Sequence, residues 1–127
     1  MEPSLYEELG GELVLRSIID RFVDRMVTDV MIGFYFRAVD RDRLKAKEFE
    51  FAAEHLGAPV AYTGRPVDTA HRPQRIFDGH FMRRLTLLRE TLEEFGVPER
   101  VRTHWIAHTL ALQSRVVAGP CQAPAAR

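Results

Sequence analysis

The stretch that decides the fold is Gly57-Ala58-Pro59-Val60-Ala61-Tyr62-Thr63-Gly64-Arg65-Pro66-Val67-Asp68-Thr69-Ala70-His71-Arg72-Pro73. Pro59, Gly64, Pro66 and Pro73 interrupt it at intervals too short for a helix to run through, so His71 sits on a short, stiff connector. Strongly apolar helical patterns lie on both sides, and the second resumes at about Phe77. A histidine between two packed helices can offer one ring nitrogen to a metal while its surroundings orient the other. Taken alone, a single loop histidine is more often a surface group or a satisfied core group.

Outward from this stretch the pattern is helical throughout. Ser4-Leu5-Tyr6-Glu7 has the form of a capping box, and Gly10-Gly11 ends the short helix it opens. Leu13, Ile18, Ile19, Phe22, Met26 and Val27 recur at helical spacing up to Asp29, and Phe34, Tyr35 and Phe36 follow on a short segment. Asp40 and Asp42 offer N-caps for a helix reaching about Gly57, with Leu44, Phe51, Ala52 and Leu56 on one side. Beyond His71, the residues Phe81, Leu85, Leu88, Leu92 and Phe95 trace one face of a helix that Gly96 stops. Pro98 opens the last helix, whose apolar side is Val101, Trp105, Leu112 and Val116. Alternating strand patterns are absent, so the expected class is all-α: one domain over residues 1–118 and a flexible tail over 119–127.

Composition narrows the function classes. Lys and Arg total 18, as do Asp and Glu, and this balance argues against nucleic acid or an acidic membrane surface as partner. The single cysteine, Cys121, excludes an internal disulfide and fits a reducing compartment. Met1-Glu2-Pro3-Ser4 has no secretory pattern, and apolar runs such as Met31–Phe36 are far shorter than the ~20 residues that span a bilayer. The expectation is a cytoplasmic globular protein, a monomer or weak homodimer. No nucleophile-base-acid set and no phosphate-binding glycine loop is present, which leaves hydrolase and nucleotide-enzyme readings without support. His104 and His108 stand one turn apart and could chelate a metal, but no third ligand is recognisable, so surface positions are the expectation.

The order Leu5-Tyr6-Glu7-Glu8-Leu9-Gly10-Gly11, then Phe22, Phe36, Pro59, Tyr62-x-Gly64, His71 and Gly96-Val97-Pro98 resembles the truncated haemoglobins, closest to their mycobacterial and cyanobacterial group. Each motif alone is weak; their order and spacing over Ser4 to Val117 are specific. The resemblance implies a two-over-two helical sandwich around a haem b. It matches His71 to the proximal iron ligand, leaving the opposite axial position for O2, NO or CO. It matches Phe36 to a phenylalanine packed on the haem plane, and it puts Tyr62 over the His71 loop.

On the distal side the chain departs from the family. Val23 stands where many relatives carry a tyrosine hydroxyl, Leu44 where other globins carry histidine or glutamine, and Glu48 where glutamine is common. Glu48 donates only if protonated, and it is expected to face solvent. Arg84 falls at an apolar or tryptophan position; it is expected at the rim with Leu85 inward, the alternative being a propionate contact or a distal hydrogen bond. Lys47 matches a position that serves some relatives as a sixth iron ligand, but losing a proton from a pKa near ~10.4 favours snorkelling to a propionate or to solvent. Arg65 and Arg72 are read as surface residues that could also meet propionates, and His80 as a first-turn residue near the haem edge. His55 is read as core or exposed. Ser114 aligns with the histidine that binds haem covalently in cyanobacterial relatives, so that modification is not expected. The implied function is gas binding, with dioxygenation of NO to nitrate through an outside reductase; a six-coordinate sensor or redox protein and a haem-free helical module are the alternatives.

Overall fold

A computed structural model describes residues 2–64 and 76–119, with side chains to Val117. Arg65, His71, Arg72 and Cys121, together with most of the expected tail, lie outside the described residues. Helix α1 (Leu5–Leu9) begins with the expected capping box: Ser4 Oγ accepts from Glu7 N–H, and the Glu7 carboxylate accepts from Ser4 N–H. The turn into α2 (Glu12–Thr28) runs through Gly10 at φ 127°, where an added Cβ would lie 2.6 Å from Val14 Cγ2. Only glycine tolerates both that φ and that crowding.

Helix α2 is the axis of the core, with Leu15, Ile18, Ile19, Phe22, Val23 and Met26 buried. Leu13, expected on the apolar stripe, is 80 % exposed, and Leu15 fills the core instead. The rest of the expected stripe holds at Ile18, Ile19, Phe22 and Met26, and Val23 joins it because α2 meets α3 on one flank and α4 on the other. A short 3-10 helix (Gly33–Phe36) follows, then α3 (Arg41–His55), whose N-cap Asp40 accepts from the Asp42 and Arg43 amides. Phe49 rather than Phe51 is the buried aromatic of α3, and the Arg16 guanidinium covers its ring at 4.2 Å.

Strand β1 (Ile76–Phe77) leads into α4 (Asp78–Glu94), and Pro98 caps α5 (Glu99–Ala111). The last helical pattern breaks at Leu112 into a short α6 (Gln113–Val116) and then β2 (Val117–Gly119), which pairs in parallel with β1. That two-strand contact was not expected, since its segments are too short to alternate visibly. It leaves the all-α class intact. Phe81, Leu85, Leu88 and Leu92 of α4 are buried as expected, whereas Phe95, at the C-cap beside Gly96, is 37 % exposed. Helix α2 packs on α3, α4 packs on α5, the α2–α4 contact joins the two pairs, and α1 closes on α5. This is a two-over-two arrangement.

Candidate functional site: the half-buried stripe of helix α3

Leu44, Lys47, Glu48, Phe51 and His55 are spaced three or four residues apart, so they share one face of α3. All five are half-buried, between the core face of Phe49, Ala52 and Ala53 and the solvent face. The segment after α3 folds back along this stripe. Thr63 N–H and Oγ1 donate to Glu50 Oε1 at 2.8 and 2.6 Å, and Tyr62 N–H donates to Glu54 Oε2 at 3.2 Å. The bonds from Thr63 hold the Glu50 carboxyl below its usual range. Tyr62 sets its ring on Phe51, with centroids 5.3 Å apart and planes at 73°. A Cβ at Gly64 would collide with the Tyr62 hydroxyl, which gives the Tyr-x-Gly pair a steric reason.

At its N-terminal end the stripe meets α2 and α4. Arg84 Nη2 donates to Glu48 Oε1 at 3.1 Å, and the guanidinium lies 5.0 Å from the centroid of the buried Phe22 ring. The two side chains are 25 % and 22 % exposed, so Glu48, expected to face solvent, is instead turned onto Arg84. Leu85 is 1 % exposed and Val23 0 %. Val23 thus presents no polar group beside Phe22. Phe36 and Leu44 pack against the same core without being enclosed by it. Lys47 Nζ donates to Thr63 Oγ1 at 2.6 Å and stands 3.8 Å from Glu50.

Other sequence candidates fall elsewhere. His80 Nδ1 is 2.9 Å from the Tyr35 hydroxyl, in the first turn of α4. Ser114 is exposed on α6. His104 and His108 keep their rings 6.5 Å apart and nearly parallel, and no cluster of three or more His, Cys, Asp or Glu among the described residues is arranged to hold a metal ion. Glu50 and Thr63, which anchor the returning segment, were not singled out from sequence, since a glutamate on an exposed helix and a loop threonine carry no local signal.

The Bacterial-like globin family profile matches residues 4–117. The chain belongs to the bacterial-like globins. Within them it is a truncated haemoglobin, as the sequence motifs implied. It is 29 % identical over 116 residues to a group 1 truncated hemoglobin GlbN of Mycolicibacterium paratuberculosis, covering 91 % of this chain and 85 % of that one. It is 33 % identical over 100 residues to the Synechocystis GlbN, covering 76 % and 81 %. Among solved structures, the hemoglobin of Chloroflexus aurantiacus superposes with a TM-score of 0.82 at 28 % identity, covering 91 % of this globin and 98 % of that chain. Among the described residues of this globin, no helix is long and apolar enough to cross a membrane.

Proposed function

We propose that this globin is a cytoplasmic protein that holds haem b through His71 and binds a diatomic gas (O2, NO or CO) on the side of Val23, Leu44, Glu48 and Arg84. The observation that carries the reading is the chemistry of the α3 stripe within a truncated-globin fold. Phe36 and Leu44 offer apolar surface over the buried Val23, and the cations Lys47 and Arg84 border it. That set fits a flat apolar macrocycle bearing two carboxylates. Held by His71, the haem would supply an iron able to bind the gas and the redox couple for NO conversion.

The chain's own residues then divide the work. Phe36 and Leu44 exclude water from the macrocycle. Tyr62, folded over Gly64 and onto Phe51, braces the start of the segment that leads to His71. Lys47 is engaged by Thr63 and Glu50, so we assign it to the mouth of the site, near a propionate, and not to the iron. Arg84 carries the hydrogen-bond donor that Val23 lacks, and Glu48 holds its guanidinium inward. A charged donor of this kind is worth about 1.5–3 kcal/mol in a desolvated setting. Oxygen-linked conversion of NO to nitrate is the activity this arrangement supports, with electrons from an outside reductase.

Absorption spectra of the ferric, ferrous and CO-bound protein test the reading. A Soret band in the wild type, with altered axial coordination in His71→Ala, is the expected result. A colourless protein that stays colourless after haem addition, or unchanged coordination in His71→Ala, would overturn it.

A further inference from the structure

The C-terminal end of the α3 stripe meets α5 through three imidazoles. The rings of His55 and His108 stack at 4.0 Å with planes 8° apart, and those of His55 and His104 at 5.6 Å and 21°. His104 Nε2 lies 3.2 Å from the carbonyl oxygen of His55, to which its N–H donates. His55 Nδ1 is buried and has no hydrogen-bond partner among the described residues. The rings of Phe51 and Trp105 also lie against it, edge-on, at 6.3 and 5.7 Å.

We propose that His55, His104 and His108 form a proton-operated clasp, which joins the end of α3 to α5 while the rings are neutral and loosens when they are protonated. Face-to-face imidazoles at van der Waals separation attract when neutral and repel when two carry charge. The charges acting on His55 come from His108 and His104, and no carboxylate on α3 or α5 offsets them. Glu54, the nearest acid in the chain, is committed to Tyr62 N–H. At the start of α5, Arg100 is paired with Glu8 of α1. Burial, reinforced by His108 and His104, brings the His55 imidazole down to about 3, and burial followed by His104 lowers His108.

A histidine lowered in the closed state stabilises it fully above the ordinary value of 6.5 and progressively less as pH falls below it. Opening therefore becomes easier by about tenfold per pH unit for each imidazole that takes up a proton. The clasp lies directly before Leu56 and Gly57, where the chain leaves α3 toward His71. Acid loosening would reach the segment that carries the proposed iron ligand, although the clasp itself does not depend on what the site binds.

Amide hydrogen exchange on the full-length protein as purified tests this, comparing about pH 7.5 with about pH 5.5 after correction for intrinsic rates. The informative amides are Leu56, which donates to Ala52 O, and Ala58, which donates to Ala53 O; those of Phe22 and Val23 in α2 serve as reference. Protection at Leu56 and Ala58 is expected to fall about tenfold or more on acidification while α2 holds. In His55→Phe, which keeps a flat ring but cannot titrate, the logarithm of that fall should shrink by at least half, the remainder coming from His108. If His55→Phe does not fold, His108→Phe serves, and it should at least halve the logarithm of the loss. Equal loss of protection in α2 and α3, or an undiminished loss in the variant that folds, would overturn the clasp.

Discussion

The joint between α2 and α4 and the stripe along α3 handle buried polar groups in opposite ways. At the first, polar groups are well partnered. Asp29, its side chain 5 % exposed, accepts from both Arg83 Nε and Nη2 and from the Met31 and Ile32 amides. Arg25 donates to Thr91 Oγ1 at 2.8 Å and pairs with Glu94 at 2.6 Å. On the α3 stripe Arg84 and Glu48 have only each other, over an apolar ring, among the side-chain hydrogen bonds of the described residues, and at its C-terminal end a buried nitrogen of His55 lacks a partner among those residues. Saturated polar joints stabilise a fold, and under-satisfied ones mark places where it is ready to respond to a proton or a ligand.

The largest test of this contrast is Phe22, which belongs to both regions as core of α2 and floor of Arg84. Phe22→Ala is expected to cost about 3–5 kcal/mol in chemical denaturation and to release Arg84 as well. Next is Asp29→Ala, which removes the acceptor of two amides and an arginine; a loss of about 1–3 kcal/mol is expected, with Arg84→Ala costing less stability. If Arg84→Ala were the more damaging to stability, the division into a structural joint and a responsive stripe would fail. Arg84→Ala should act on ligand escape instead. Loss of its hydrogen bond, about 1.5–3 kcal/mol, should speed oxygen dissociation by roughly 10–150-fold in stopped-flow measurements.

A pH titration of stability separates the regions further. Asp29 is held below its usual 3.8, first by the Arg83 hydrogen bond, so its contribution is complete above that value and lost only as pH falls further. His55 and His108 are lowered from 6.5, so their contribution begins to fade below it. Thermal unfolding should therefore weaken between about pH 6.5 and pH 4 in the wild type and less in His55→Phe, with the Asp29→Ala difference unchanged across that range. The smallest effect is expected at the exposed Glu12–Arg16 pair at 2.9 Å: Arg16→Ala should change stability by under about 0.5 kcal/mol through that bridge, apart from its cover over Phe49.

Much of this was legible in the chain because it is local. The Ser4–Glu7 capping box, the Gly10 turn, the Asp40 cap and the stop at Gly96 depend on neighbours within a few residues, and each stands where the spacing puts it. The stripe on α4 was legible down to Leu92 for the same reason, and Phe95 escaped it because the helix ends there. Leu13 and Phe51 were misassigned to the core because helical period gives a face but not its phase against two partners. The site was legible only as a list: Val23, Leu44, Lys47, Glu48 and Arg84 could be placed near one another by resemblance, but their pairings could not.

By itself, then, the sequence determined an all-helical truncated globin and His71 as the one histidine on a proline-bounded connector. Those depend on residue identity and short-range backbone preference. Tertiary structure alone decided that Glu48 engages Arg84 over Phe22, 36 residues apart in sequence, and that His55 meets His104 and His108 across two helices. Such contacts depend on how far each helix is rotated and where it crosses its neighbour, and packing of the whole core sets both.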